Sequence, residues 1–167
     1  MNTFSAYFPI WNKLNDSERT ILQDSVIYKT VPAGTLLHSG SADCIGLILL
    51  KSGQLRAYMT SAEGKELTLY RLFERDMCLF SAACMLASLR VDVMVEVEKD
   101  AELWLIPVRV YENLMKTSAE ISNYTNQLMA SRFTEVMWLM EQILSKSMDA
   151  RLASFLLEEC TIEESDT

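Results

Sequence analysis

Apolar and polar residues alternate in short segments along the chain up to about residue 107. Alternation with a period of two turns one face of a strand toward a core and the other face toward water. Turn-forming residues separate the segments, and short strands at such spacing predict a β-sandwich or a β-barrel. The segments with this character are SVIYKTV, TLLH, IGLILLK, QLRAYMT, ELTLYRLF, VDVMVEVE and AELWLIP.

Glycine is confined to this first part of the chain, at positions 34, 40, 46, 53 and 64. Because glycine adopts positive φ without strain, it is typical of tight turns. We predict hairpin turns at SGQ, around Gly53, and at AEGK, around Gly64. The alternation is strictest in VDVMVEVE, where the valines share one face: Val91, Val93, Val95 and Val97.

The pattern becomes helical after Pro107. Proline is favoured at helix starts, and VRVYENLM then follows as a short helix. In TSAE, Thr117 and Glu120 have the spacing of a capping box, which marks the start of a second helix. Neither glycine nor proline interrupts the segment that follows, so we predict a long helix from about Ser118 to about Lys146.

Apolar residues cover about half the circumference of this long helix, which is more than one contact surface needs. We predict that Phe133, Met137 and Leu144 cover the β domain. The other face has the three- and four-residue spacing of a coiled-coil seam, which predicts a parallel homodimer. A single buried helix in a monomer is the alternative. The predicted seam consists of Ile121, Thr125, Leu128, Arg132, Val136, Leu139 and Ile143.

Arg132 is a charged residue within this otherwise apolar seam. An unpaired charge in an apolar interface is strongly destabilising. We therefore expect Arg132 to pair with Glu135, in its own chain or in the partner's, or to reach a pocket of the β domain as a ligand contact.

Composition and charge narrow the function classes. The 167 residues suffice for one globular domain, and 50% of them are apolar. The net charge of −8 excludes this segment itself as a nucleic-acid surface, because phosphate binding needs clustered Lys and Arg. No apolar run approaches a membrane span and no signal peptide is visible, so we expect no membrane partner, a cytoplasmic protein and reduced cysteines.

The side chains do not indicate catalysis. The chain has one histidine, His38, for which we expect a structural role. The sequence has no cluster of His, Cys and Asp and no glycine-rich phosphate loop, so neither a metal site nor a nucleophile with its base is apparent. We therefore expect a protein that is not an enzyme.

Three short motifs precede the long helix in a characteristic order. They are the strand entry with Pro32 and Gly34, the hairpin with Leu50 and Gly53, and the hairpin 63–66. With these motifs the chain resembles the cyclic-nucleotide-binding fold of the Crp/Fnr transcription regulators, from about residue 8 to about residue 159. The resemblance implies a mainly β fold with helices, a double-stranded β-helix (jelly roll) followed by a long dimerisation helix.

The resemblance also implies a domain organisation. Residues 1–107 form a cyclic-nucleotide-binding-like sensor domain with an N-terminal helix, and residues 108–147 form the short helix and the dimerisation helix. Residues 148–167, which include DARLASFLLEE, resemble the hinge and the start of a winged helix-turn-helix domain. In this family that domain binds DNA as a two-fold pair, so we expect DNA binding through a C-terminal domain that is not present in this chain.

Two interpretations of function follow from this resemblance. The first is the sensor part of a DNA-binding regulator that forms a homodimer and responds to an unidentified small effector or to a redox signal. The second is a stand-alone dimeric ligand-binding or adaptor domain without DNA binding.

Cyclic AMP is disfavoured as the effector. Cyclic-nucleotide binders of the family carry G-D-x-x-G-E in the loop after the hairpin 63–66, and an Arg-Ser pair follows for the phosphate. Here Arg75 replaces the first glycine, and Leu79 and Phe80 replace the Gly-Glu pair. Val91 and Asp92 replace the Arg-Ser pair, and Arg90 lies one position away. Losing an Arg–phosphate contact removes a strong charge-assisted hydrogen bond.

The loop nevertheless defines a candidate effector pocket. Its side chains either pack as core, line a site for a small apolar or aromatic effector, or sense redox state through Cys78 and Cys84. Haem is a further alternative, although Phe80 stands where the family's haem-binding sensors have a histidine ligand. The candidate residues are Cys78, Leu79, Phe80, Ser81, Cys84, Arg90, Asp92 and Met137.

Overall fold

The computed structural model describes residues 4–39, 45–80 and 92–145, together with 147, 149, 150, 153 and 156. The chain divides into two units, Met1–Ala130 and Ser131–Thr167. The first unit contains the sheet and the shorter helices. The second contains the later part of the long helix.

Three short helical segments precede the sheet. They are α1 (Phe4–Tyr7), a 3-10 turn (Trp11–Lys13) and α2 (Asp16–Ser25). Helix α2 begins with a capping box, in which Asn15 Oδ1 accepts from Glu18 N and Glu18 Oε2 accepts from Asn15 N, both at 2.9 Å. These two bonds satisfy backbone donors that the first helical turn leaves free.

Within the described residues, six strands form one antiparallel sheet, which confirms the predicted mainly β fold. The central path runs β1-β6-β3-β4, and β2 pairs with β6 while β5 pairs with β3. The strands are β1 (Ile27–Val31), β2 (Leu36–Ser39), β3 (Leu47–Thr60), β4 (Glu66–Leu72), β5 (Met77–Cys78) and β6 (Met94–Ile106).

The predicted hairpin turn at SGQ is wrong. Gly53 lies inside β3, so the segments IGLILLK and QLRAYMT belong to one strand. Strand β3 pairs with β6, and β6 likewise joins the segments VDVMVEVE and AELWLIP into one strand. The pairing shifts register around Ser52 and Gln54, and Gly53 has a φ of +90°. A Cβ there would lie 2.3 Å from the carbonyl oxygen of Asp100. The glycine therefore permits a bulge and a close approach of two backbones, rather than a chain reversal.

The predicted hairpin at AEGK is confirmed. Strands β3 and β4 pair antiparallel up to Thr60 and Glu66. Between them Ser61 N donates to Lys65 O at 2.8 Å, and Gly64 N donates to Ser61 O at 2.9 Å. Gly64 has a φ of +80°, the conformation for which glycine is favoured in turns.

The sheet separates two apolar clusters. In β3, Leu47 and Leu49 belong to cluster 1, which includes the N-terminal helices, while Ile48 and Leu50 belong to cluster 2. Because successive side chains of a strand point to opposite faces, a strand with both faces buried is apolar without alternation. This explains the continuous apolar run in IGLILL, whereas Val93, just before β6, and Val95 and Val97 of β6 all belong to cluster 2.

Helices α3 (Val108–Thr117) and α4 (Ala119–Ser145) follow the sheet. The long helix thus begins and ends within one residue of the predicted limits. The predicted N-cap, Thr117, is wrong because α3 continues through that residue. Ser118 ends α3 and its Oγ accepts a hydrogen bond from Ile121 N at 3.4 Å, so one residue serves both helix ends.

The helices of the described ranges do not have the character of a membrane span. None of them combines the length and the apolar run that crossing a bilayer requires.

Candidate functional site

The turn after β4 lies where the sequence resembles a phosphate-binding loop. Asp76 N donates to Phe73 O at 3.0 Å, and Asp76 Oδ2 accepts from Phe73 N at 2.9 Å. Arg75 N donates to Leu50 O at 2.9 Å, which ties the turn to β3. Arg75 adopts a φ of 71°, so the left-handed conformation of a glycine position persists although the glycine is absent.

The residues that follow alternate between the two apolar clusters. Met77 and Leu79 belong to cluster 1, whereas Cys78 belongs to cluster 2. Phe80 packs on cluster 2 and stacks on Tyr70, with ring centroids 5.9 Å apart. Leu79 and Phe80, at the positions of the Gly-Glu pair, therefore belong to apolar packing and supply no carboxylate for a ribose.

The candidate pocket residues are only partly brought together. Cys78 is fully buried and Leu79 faces the opposite cluster, so of these three neighbours Cys78 and Phe80 share cluster 2. Asp92 is exposed. Met137 lies in the second unit and is 46% exposed, so the structure gives no support for counting it with them. Ser81, Cys84 and Arg90 lie outside the described residues. The distance between Cys78 and Cys84, on which the redox alternative depends, is therefore not described either.

Potential metal ligands do not cluster in the described part of the chain. No group of three His, Cys, Asp or Glu side chains there is close enough together to hold a metal ion. His38 is buried on β2, opposite Val95 of β6. This position agrees with the structural role expected for the single histidine.

The first turns of α4 are held by buried contacts within their own unit. Ile121 is 0% exposed and belongs to cluster 1. Thr125 is also buried, and its Oγ1 lies 2.8 Å from the hydroxyl of Tyr111 while it donates to Ile121 O. The prediction that Ile121 and Thr125 belong to a dimer seam is therefore wrong, because their own chain already buries them. Leu128 packs at the edge of the same cluster.

The buried hydroxyl of Tyr111 remains protonated at physiological pH. Burial raises the pKa of Tyr111 to about 12, although its hydrogen bond with Thr125 opposes that shift. A neutral hydroxyl can donate to Thr125, so α3 and α4 are joined by a polar bond inside an apolar cluster.

The exposed apolar side of α4 is the side that was expected to cover the β domain. Phe133 is 67% exposed and Leu144 is 80% exposed. Met137, the third residue of that prediction, is 46% exposed. Val136 and Leu139, on the predicted seam, are half-buried instead. A helical pattern defines the angles between residues and not the surroundings of each face, so it could not give the exposure of these side chains.

The predicted ion pair of Arg132 is confirmed within the chain. Its Nη1 donates to both carboxylate oxygens of Glu135, at 2.9 and 2.8 Å. The Arg132 side chain is 13% exposed, so a charge-assisted contact of this kind offsets part of its lost hydration.

A network of ion pairs across three strands was not predicted. Arg56 of β3 donates to Glu66 of β4 at 2.7 Å and to Glu96 of β6 at 3.1 Å. Arg71 donates to Glu98 at 2.9 Å, and the guanidinium of Arg56 lies 4.2 Å from the centre of the Tyr58 ring. The alternation in VDVMVEVE already put Glu96 and Glu98 opposite the valines. It carried no information on their partners, which come from distant segments.

Comparisons with known proteins identify the fold and the family. Neither the protein-family models nor the curated proteins contain a match. Among solved structures, a transcriptional regulator of the Crp/Fnr family from Eubacterium rectale is 55% identical, with a TM-score of 0.91, over 95% of this chain and 74% of that one.

More distant structures share the fold alone. A mutant of CooA from Carboxydothermus hydrogenoformans is 18% identical with a TM-score of 0.63, over 88% of this chain and 93% of that one. FixK2 from Bradyrhizobium japonicum is 15% identical with a TM-score of 0.68, over 80% of this chain and 65% of that one. From the identity and coverage of the Eubacterium rectale structure, we conclude that this chain belongs to the Crp/Fnr family of transcription regulators.

Proposed function

We propose that this chain senses a small effector other than cyclic AMP and passes the signal along α4 to a DNA-binding domain. The observation that carries this proposal is the packing of Leu79 and Phe80 at the Gly-Glu positions. A cyclic nucleotide needs a ribose-binding carboxylate and close backbone N–H groups there, and it meets one buried and one half-buried apolar side chain instead. The similar structure from Eubacterium rectale is that of a transcriptional regulator, which supports a role in regulation rather than in catalysis. The same similarity supports a location in the cytoplasm.

The chemistry of cluster 2 favours an apolar or aromatic effector. Phe80 is half-buried and stacks on Tyr70, so a ligand entering here meets aromatic surface rather than charge. The complete burial of Cys78 favours a packing role for its thiol, because reactive cysteines are partly exposed and lie in electropositive surroundings. The redox alternative therefore has less support than the effector alternative.

We also propose that α4 pairs with a second copy of this chain. Five exposed apolar residues repeat at spacings of three and four along one face of the helix, as in a coiled-coil seam. A solvent-exposed apolar stripe of this length is unfavourable unless another molecule covers it. Membership of the Crp/Fnr family supports a second copy as that molecule. The proposed seam is Met129, Phe133, Met137, Met140 and Leu144.

Calorimetric titration with cyclic AMP at near-physiological salt tests the effector proposal. We expect no measurable heat of binding, because the residues at the phosphate and ribose positions lack the required charge and carboxylate. Native mass spectrometry of the purified protein then searches for an effector that has remained bound. A cyclic AMP dissociation constant in the low micromolar range, about −8 kcal/mol, is incompatible with the proposal.

A further inference from the structure

A surface cavity of about 480 Å³ lies between the N-terminal segment and the turn after β4. Its lining includes Ser5, Tyr7, Trp11, Asn12 and Arg75. The volume is within the range of small-molecule sites. Neither Tyr70 nor Phe80 contributes to this lining, so the cavity is separate from the aromatic stack on cluster 2.

The backbone conformation at position 75 favours glycine and does not explain why an arginine is found there. It is the only non-glycine residue with positive φ among the described residues, and a side chain with a Cβ is disfavoured in that conformation. The turn is held by main-chain bonds from Arg75 N to Leu50 O and from Asp76 N to Phe73 O, which a glycine would make equally well. Local strain of this kind is retained where the side chain has another role.

The charge of Arg75 is open to a ligand. Its nearest carboxylate in the described structure is that of Glu74, with 3.9 Å between Nε and Oε1, and both side chains are mostly exposed. Such a pair contributes little. The guanidinium lies 5.6 Å from the centre of the Tyr7 ring, so the cationic group and an aromatic face adjoin within one cavity.

The opposite wall of the cavity is held in place. Arg19 donates from Nε to Trp11 O at 3.2 Å and from Nη2 to Asn12 O at 3.3 Å. Meanwhile the side chains of Ser5 and Asn12 make no hydrogen bond to any other described residue. A fixed segment whose polar side chains make no such bond shares one cavity with a mostly exposed guanidinium, and this arrangement can bind a ligand with little reorganisation.

We propose that this cavity binds a small organic anion. Arg75 takes its carboxylate or phosphate group with help from Ser5 and Asn12, and an apolar body packs against Tyr7 and Trp11. Contact of the apolar body with the two aromatic rings offsets the average field of a chain with a net charge of −8, which opposes the approach of any anion. The site is additional to the effector proposal and does not depend on it.

Titration of the isotope-labelled chain with benzoate and with phenyl phosphate, followed by NMR, tests this site. We expect saturable shifts at Tyr7, Trp11 and the Arg75 side chain, and the tighter of the two probes identifies the preferred oxyanion. Inorganic phosphate should bind more weakly than phenyl phosphate. Arg75→Gly should weaken binding by at least about tenfold, since it removes a charge-assisted hydrogen bond.

The variants also separate a binding role from a structural one. Arg75→Gly should leave the melting temperature unchanged or raised, because glycine relieves the left-handed strain. Arg109→Gln, which removes an exposed charge on α3, should leave binding unchanged. Absence of saturable shifts, equal binding by Arg75→Gly, or a lowered melting temperature of that variant would each overturn the proposal. Sedimentation of Arg75→Gly should match that of the original chain, so this result is independent of the dimer proposal.

Discussion

The two parts of helix α4 have the same periodicity and opposite surroundings. In residues 119–130, Ile121 and Thr125 are buried and bound to α3 or to cluster 1. In residues 131–145, Phe133 and Leu144 are mostly exposed although they are as apolar as Ile121. The comparison teaches that an apolar stripe on a helix identifies a contact surface but not its partner. One part of α4 is a core element, and the other leaves apolar side chains exposed, which we propose that a second copy of the chain covers.

The largest expected effect comes from a substitution in the buried part of α4, residues 119–130. Ile121→Ala should lower the free energy of unfolding by about 3 kcal/mol, because it removes buried methyl groups and leaves a cavity in cluster 1. Ile143→Ala is the matched control, since Ile143 is 39% exposed in the other part. Urea unfolding at a protein concentration too low for self-association measures both. Equal losses in the two variants would contradict the distinction between the two parts.

Alkaline pH provides a second test of the buried part. Because burial raises the pKa of Tyr111 to about 12, the folded chain keeps this proton where the unfolded chain, with a pKa near 10, has lost it. The resulting stability is fully present below about pH 10 and is lost as the pH rises toward about 12, by about 2 kcal/mol. Unfolding curves across this range measure the decline, which Tyr111→Phe should lack.

The same variant behaves differently at neutral pH. There Tyr111→Phe should be less stable than the original chain by about 1 kcal/mol, since it loses the hydrogen bond to Thr125. Thr125 keeps its bond to Ile121 O, so no buried hydroxyl is left without a partner. The difference between the two proteins should therefore change sign with pH, and parallel curves would contradict burial as the cause.

The last expected effect concerns the exposed part. Phe133→Asp combined with Met140→Asp should weaken the proposed dimer roughly tenfold to hundredfold, because it puts charges in an apolar seam. Sedimentation across a concentration series measures the dissociation constant. Gln127→Asp combined with Ser145→Asp adds the same charge on the polar side of the helix and is the control. An unchanged dimer in the first variant would contradict the proposed seam.

Much of the fold could be predicted because its signals are local. The limits of α4 depend on caps and on the absence of glycine and proline, and the hairpin around Gly64 depends on a single turn. The error at Gly53 shows where local signals end. A glycine serves a turn or a bulge equally well, and the pairing of β3 with β6 decided for the bulge. Such pairing joins residues about 50 positions apart along the sequence.

The candidate site was less predictable for a related reason. The loss of the Gly-Glu pair is visible from residue types alone, and from that loss we expect cyclic AMP to bind poorly. Residue types do not show toward which side of the sheet each replacing side chain packs, because Leu79 and Phe80 face opposite clusters only once β5 is paired with β3. The cavity at Arg75 could not be predicted from the sequence, because its walls come from residues about 70 positions apart along the chain.

By itself, the sequence determined the mainly β fold, the long helix, the family resemblance and the absence of a cyclic-nucleotide signature. Each of these depends on residue type, period or spacing within a short segment. Only the tertiary structure decided which face of α4 is buried, which side of the sheet receives Leu79 and Phe80, and what surrounds Arg75. The physical reason is that burial and charge pairing are properties of the neighbours that folding brings together, and a local pattern specifies a face without specifying what packs against it.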